Sequence, residues 1–180
     1  MADHMDDLEF TVEHDVPIPY RHRIGTYYQT LGYGKPYRWA QYVSVPFAPL
    51  KKPLGESQVS LITTAAPYQP GKGDQGPGAP YNAAAKFYRV YTDSIEGDPD
   101  VRISHIGIDR KHTAATDINT WFPLNQLKRL AAEGRIGSLA SEFIGAPTNR
   151  SQKVTIEQDA VEILAKIRAA GSNVAVLVAN

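Results

Sequence analysis

The chain has 180 residues, and 19 Lys and Arg against 19 Asp and Glu leave a formal net charge of zero. That balance gives no electrostatic footprint for nucleic acid or an anionic membrane, while a hydrophobic fraction of 42% is enough to bury the core of roughly one domain. The absence of cysteine removes disulfides, iron–sulfur clusters, thiolate zinc sites and thiol catalysis from what these residues do alone.

The acidic start, residues 1–7, lacks the basic and apolar regions of a signal peptide, and the longest apolar run, residues 174–179, is far short of the roughly 20 residues that span a bilayer. The expectation is a cytoplasmic protein without membrane contact. Residues 1–56 are rich in Tyr, Pro and Arg and show neither a sustained 3.6 nor a 2.0 period. They read as an irregular N-terminal arm that wraps its own domain or a second copy of it; a partner-docking arm is the other reading.

From Ser57 the pattern becomes that of an α/β domain, 57–180. Val59, Leu61 and Ile62 lie in a β-branched run ending at Thr63 and Thr64, which predicts a buried strand. Residues 87–91 alternate and predict a second strand, and residues 101–104 a third. Pro123 then opens a helix with Leu124, Leu127, Leu130 and Ala131 on one face and Gly134 past its end. Residues 138–144 read as a strand and 145–152 as a loop. Thr155 and Gln158, in capping-box spacing, open a helix expected to bury Ile156, Ala160, Ile163, Leu164 and Ile167 and to stop at Gly171. The apolar residues 174–178 form the last strand.

Strands alternating with helices imply right-handed crossovers and a mostly parallel, Rossmann- or flavodoxin-like sheet with helices on both faces. In such sheets ligands sit beyond the carboxyl ends of the strands. The run Gly71-Lys72-Gly73-Asp74-Gln75-Gly76 spells a dinucleotide fingerprint after the first strand, but Pro77, Gly78 and Pro80 deny the helix that should follow. It reads better as a loop whose backbone amides could hold an anion. His105 and Asp109, directly after a predicted strand, are the candidate catalytic residues, His105 as general acid or base or as a substrate donor, against the alternative of a structural histidine. With His112 they have the spacing of a helical metal triad, yet Gly107 and its β-branched neighbours argue against a helix, and no metal site is assigned. Arg150 in its polar loop could clamp a carboxylate, with Asn149, Asp117 and Asn119 as further candidate substrate-binding residues. Asp117 also suits an N-cap.

The run Val101-Arg102-Ile103-Ser104-His105-Ile106-Gly107-Ile108-Asp109, then Asp117-Ile118-Asn119, then Phe122-Pro123-Leu124 with Leu127, Leu130, Glu133 and Gly134, resembles the selenoprotein B family of glycine, sarcosine, betaine and D-proline reductases. The resemblance extends through Glu162, Ile163 and Leu164 to the strand at 174–178, and excludes the first 56 residues. It implies a redox subunit in the reductive cleavage of a carbon–nitrogen bond. A pyruvoyl group on a partner subunit is the implied cofactor, none being expected in this chain. The implied partners are that pyruvoyl-containing subunit, a thiol reductant such as thioredoxin, and further copies of the chain in a homo-oligomer. In that family the selenocysteine or cysteine follows the strand matching 174–178, so the expectation is a domain truncated at Asn180, just before its nucleophile. The alternative is a non-catalytic small-ligand-binding or assembly protein on the same scaffold.

Overall fold

A computed structural model describes residues 16–34, 42–76, 79–80, 82–103, 116–147, 149 and 151–179. The chain divides into two compact units, Met1–Val45 and Pro46–Asn180.

In the first unit, helix α1 (Tyr20–Thr30) follows Pro17 and Pro19 and ends at Gly32, whose φ of +82° only glycine adopts without strain. Its end is closed by Gly32 N–H donating to the Gln29 carbonyl and Tyr33 N–H to that of Tyr28, with the Tyr28 and Tyr33 rings edge to face. The irregular reading of the arm did not include this helix. The reason is physical: no residue of α1 is buried, so nothing selects a 3.6-residue apolar stripe.

The second unit is mixed α/β with a mostly parallel central sheet. Strand β1 (Gln58–Thr63) is its middle. Along one edge of β1 runs β7 (Val174–Val178), parallel, from Val59↔Val174 to Thr63↔Val178. The other edge takes β5 (Ser138–Leu139) and then β6 (Glu142–Gly145), both parallel. The single strand expected over 138–144 is therefore interrupted. Between the pairs Val59↔Leu139 and Ile62↔Ile144, β1 passes two residues and its partner four, so the partner bulges outward before re-pairing.

Beyond β6 lies β3 (Tyr91–Ser94), antiparallel, from Tyr91↔Gly145 to Ser94↔Glu142. The strand expected over 87–91 thus begins where it should have ended. Its alternation gives the right chemistry for a strand, but pairing starts only where β6 offers a partner. Strand β4 (Val101–Arg102) leaves the central sheet altogether and pairs antiparallel with β2 (Ala66–Pro67).

One face of the sheet carries Val59, Leu61 and Phe143 against Phe122, Leu124 and Leu127 of helix α2 (Leu124–Ala132) and its entry, a core completed by Ile103 and Trp121. Pro123 sits at the N-cap, as its missing N–H allows, and Gly134 at φ +69° closes the far end. The opposite face carries Ser60 and Ile62. There the helix α3 (Gln152–Val154) runs through a π-helical turn, Thr155–Asp159, into α4 (Ala160–Ala169). Helices lie on both sides of the sheet, but α4 buries none of its residues and leaves Leu177 of β7 exposed.

Two details of that last helix differ from the sequence reading. Its cap is Ser151, whose hydroxyl accepts from Val154 N–H at 3.3 Å, rather than Thr155. Its apolar face is rotated: Ile163 and Ile167 are half-buried, while Ile156, Ala160 and Leu164 are exposed. A π turn spends an extra residue per turn, so Ile156 falls out of phase and Asp159 turns inward, 7% exposed.

Candidate functional site

The carboxyl ends of β1, β6 and β7 come together because all three run parallel, and Thr63, Gly145 and Val178 mark that edge. Thr63 is wholly buried: its hydroxyl donates to the Trp121 carbonyl at 3.0 Å and accepts from Ala65 N–H at 3.0 Å, pinning the turn that leaves the sheet to the entry of α2. Gly145 lies against the Tyr91 ring, and the Tyr91 hydroxyl donates to the Ala65 carbonyl at 2.8 Å. Burial, with Asp93 adding to it, pushes the Tyr91 phenol well above its ordinary range, so it stays protonated and donating.

A cavity of about 440 Å³ lies near this edge, lined by Gln75, Asp98, Asp100, Arg102, Ile103, Ile118 and Trp121 among others. Its one basic side chain among the described residues is already engaged. Arg102 gives both Nε and a terminal nitrogen to the Asp100 carboxylate and stacks 4.9 Å from the Tyr68 ring centre. The hydrogen bond to Asp100 holds the guanidinium above its already high ordinary value, so Arg102 stays cationic against that side chain.

On the α4 face a groove of about 380 Å³ opens at the same edge. Its walls are Ile62, Pro147, Ile163, Leu164, Ile167 and Leu177, with Thr64, Thr155 and Asp159 as its polar members. Asn149, one of the predicted substrate-binding residues, reaches it indirectly: its Nδ2 donates to Asp159 Oδ2 at 2.7 Å.

Asp117 and Asn119 are brought together. Asp117 caps the 3₁₀ turn Ile118–Thr120, its Oδ1 accepting from Asn119 N–H and from Asn119 Nδ2, each at 3.0 Å. Asn119 Oδ1 is buried without a hydrogen-bond partner. His105, Asp109, His112 and Arg150 lie outside the described residues. The segment leading to His105 does not follow a strand of the central sheet, because β4 belongs to the separate two-stranded pair. No group of acidic or histidine side chains that could hold a metal ion occurs among the described residues.

The glycine-rich loop is closed on itself. Gly71 and Gly73 have φ of +73° and +78°, and the buried Gln75 side chain acts as a backbone substitute, accepting from Gln69 N–H at 3.0 Å and donating to the Gln69 carbonyl at 2.8 Å. Gly76 N–H is taken by Asp74 at 2.9 Å. Three amides of this region, those of Gln69, Lys72 and Gly76, are thus already satisfied within it.

Sequence reasoning missed Asp159 and Tyr91. Asp159 carried a signal: it stands three residues after Ile156 and four before Ile163, a charged side chain in the apolar register of its own helix.

No family model matches the chain, and no solved structure matches it. Over 139 residues, 74% of its length, the chain is 32% identical to the D-proline reductase subunit gamma of Acetoanaerobium sticklandii, with 53% of that protein covered. The chain spans about half the length of the curated relative it matches, and the similarity to it is confined to that half.

Proposed function

From this similarity we propose that the chain serves in a reductase that cleaves a carbon–nitrogen bond of an amino acid or related amine, as a redox subunit similar to selenoprotein B. The observation that carries the reading is the 32% identity sustained over 139 residues. A pyruvoyl group on a partner subunit would supply the electrophile that takes up the substrate amine. Two electrons and two protons, drawn from a thiol reductant such as thioredoxin, turn the C–N bond into C–H and N–H. These 180 residues contain no cysteine, so the selenol or thiol that attacks the carbon belongs to other residues, further along the same polypeptide or on a partner.

In this reading the chain supplies a scaffold and the polar groups of the reaction. His105 hands a proton to the departing nitrogen and Asp109 orients it. Arg150 holds a substrate carboxylate, with Asn149, Asp117 and Asn119 as the further substrate-binding residues. The assembly is cytoplasmic and contains several copies of the chain. Among the described residues no helix is long and apolar enough to cross a membrane, which accords with this. The missing thiol favours a second reading, a non-catalytic binding or assembly protein on the same scaffold.

The test is affinity purification of the tagged chain from its source cells. The reductase reading expects a stoichiometric partner carrying a carbonyl that reacts with hydroxylamine, and dithiol-dependent amine cleavage by the complex. A chain recovered alone and monodisperse, with no such partner, sinks it in favour of the second reading.

A further inference from the structure

We infer that α1 is a docking helix, and that its occupant is the groove of a partner protein, apolar along its floor and rimmed by carboxylates. Tyr20, Ile24, Tyr27 and Leu31 recur at i, i+4, i+7 and i+11, so they lie along one side of α1 and its C-cap. All four are exposed, from 45% at Ile24 to 67% at Tyr20. Packing within the chain does not select this stripe, since no residue of α1 is buried. Local stability does not select the helix either. It has 11 residues, under the roughly 12–15 at which isolated helices become even marginal, with Gly25 in its interior and no side-chain cap at its N-terminus. Arg21 and Arg23 stand in its first turn, where no acidic residue offsets them, against the sense of the helix dipole. Among the described residues neither makes an ion pair. Side chains that cost the helix stability and gain nothing within the chain point to a role outside it.

The chemistry of the surface names its occupant. At 3.6 residues per turn, Arg21 lies about 100° to one side of Tyr20 and Arg23 about 60° to the other, so the two cations flank the stripe. Between Val16 and Gly55 the sequence has six lysines and arginines and no aspartate or glutamate, within a chain whose total charge is zero. Complementarity asks for carboxylates on both sides of an apolar strip. Tyrosine and arginine are also the side chains that anchor protein–protein interfaces. A lipid surface fits less well, because the side of α1 away from the stripe carries Thr26, Gln29 and Thr30 where a membrane-binding helix carries lysine or arginine. Stacked bases fit less well because Tyr28 is engaged edge to face with both Tyr27 and Tyr33, at 5.6 and 5.5 Å between centroids.

The inference does not rest on the reductase reading. Its test places a photo-crosslinking phenylalanine analogue in the chain, expressed in its source cells, either at Tyr27 on the stripe or at Gln29 on the opposite side. The captured protein is identified by mass spectrometry, purified and titrated against the chain by calorimetry. The expected result is crosslinking from position 27 and not from 29. The purified complex should weaken roughly tenfold or more with Arg21→Glu and Arg23→Glu together, with Ile24→Ser and Leu31→Ser together, and as salt rises from about 0.1 to 0.5 M. Glutamate near an N-terminus favours the helix, so a loss in the arginine variant reports lost contacts and not a melted α1. Any partner that meets these terms supports the inference, whether or not it carries the carbonyl that the reductase reading requires. No crosslinked product, equal crosslinking from both positions, crosslinks to lipid, to nucleic acid or to a second copy of the chain, or binding indifferent to the arginine reversal and to salt overturns it.

Discussion

Tyr91 packs against Gly145, so closely that a Cβ at position 145 would overlap the ring. The two are register partners in the antiparallel pairing of β3 with β6, and the Tyr91 hydroxyl reaches past that glycine to the Ala65 carbonyl. The ring also meets Phe87 and Phe143 edge to face, at 5.3 and 5.9 Å between centroids. This contact ties the edge strand to the turn that follows β1. Gly145→Ala must displace either the ring or the strand. The expected loss is about 2–3 kcal/mol of unfolding free energy, measured by urea denaturation. A loss below about 0.5 kcal/mol would mean that Tyr91 swings aside freely.

Tyr91 also sets a pH dependence. Its phenol is raised in the folded state above the ordinary value of 10.0, so the folded chain holds this proton more tightly than the unfolded one. The corresponding stability is fully present below about pH 10 and is lost as pH rises from there through the folded value. Tyr91→Phe should cost about 1 kcal/mol at neutral pH, for the bond to Ala65, and flatten the alkaline fall in stability. An unchanged alkaline limb in the variant would show that other groups carry it.

The helix ahead of β7 offers a direct comparison of two caps. Ser151→Ala removes the hydroxyl that satisfies Val154 N–H and is expected to lower stability by about 1 kcal/mol. Thr155→Ala, inside the π turn, should cost less than half of that. Thermal melts of the two variants side by side decide it, and the reverse order would restore the cap to Thr155.

For the proposed chemistry, His105→Ala should abolish amine cleavage by the assembled complex while leaving its melting temperature within a few degrees. Retained activity would remove His105 from the proton transfer, and a collapse of the melting temperature would make it structural.

Much of the fold was legible because local rules and tertiary packing agree. The run from Val59 to Thr63 is buried on both sides, its two polar members Ser60 and Thr63 satisfied by hydrogen bonds, because β1 lies in the middle of the sheet. Pro123, Leu124, Leu127 and Gly134 carry a start, a buried stripe and a stop within a dozen residues. The candidate site was less legible. Asn149 looked like a free loop residue, but its partner Asp159 lies ten positions on, inside a helix. Residues 87–91 look like a strand to any local rule, whereas the strand starts at Tyr91 because that is where β6 begins to pair.

By itself the sequence determined the fold class, the zero net charge, the absence of a thiol and the resemblance to a reductase family, since each is written in residue identity and order. Only the tertiary structure decided that β7 and the β5–β6 run flank β1 on opposite edges, that a π turn rotates Asp159 inward, and that Gly145 must be glycine. Those depend on which residues far apart in the chain occupy the same space, and excluded volume between them is not expressed in any local pattern.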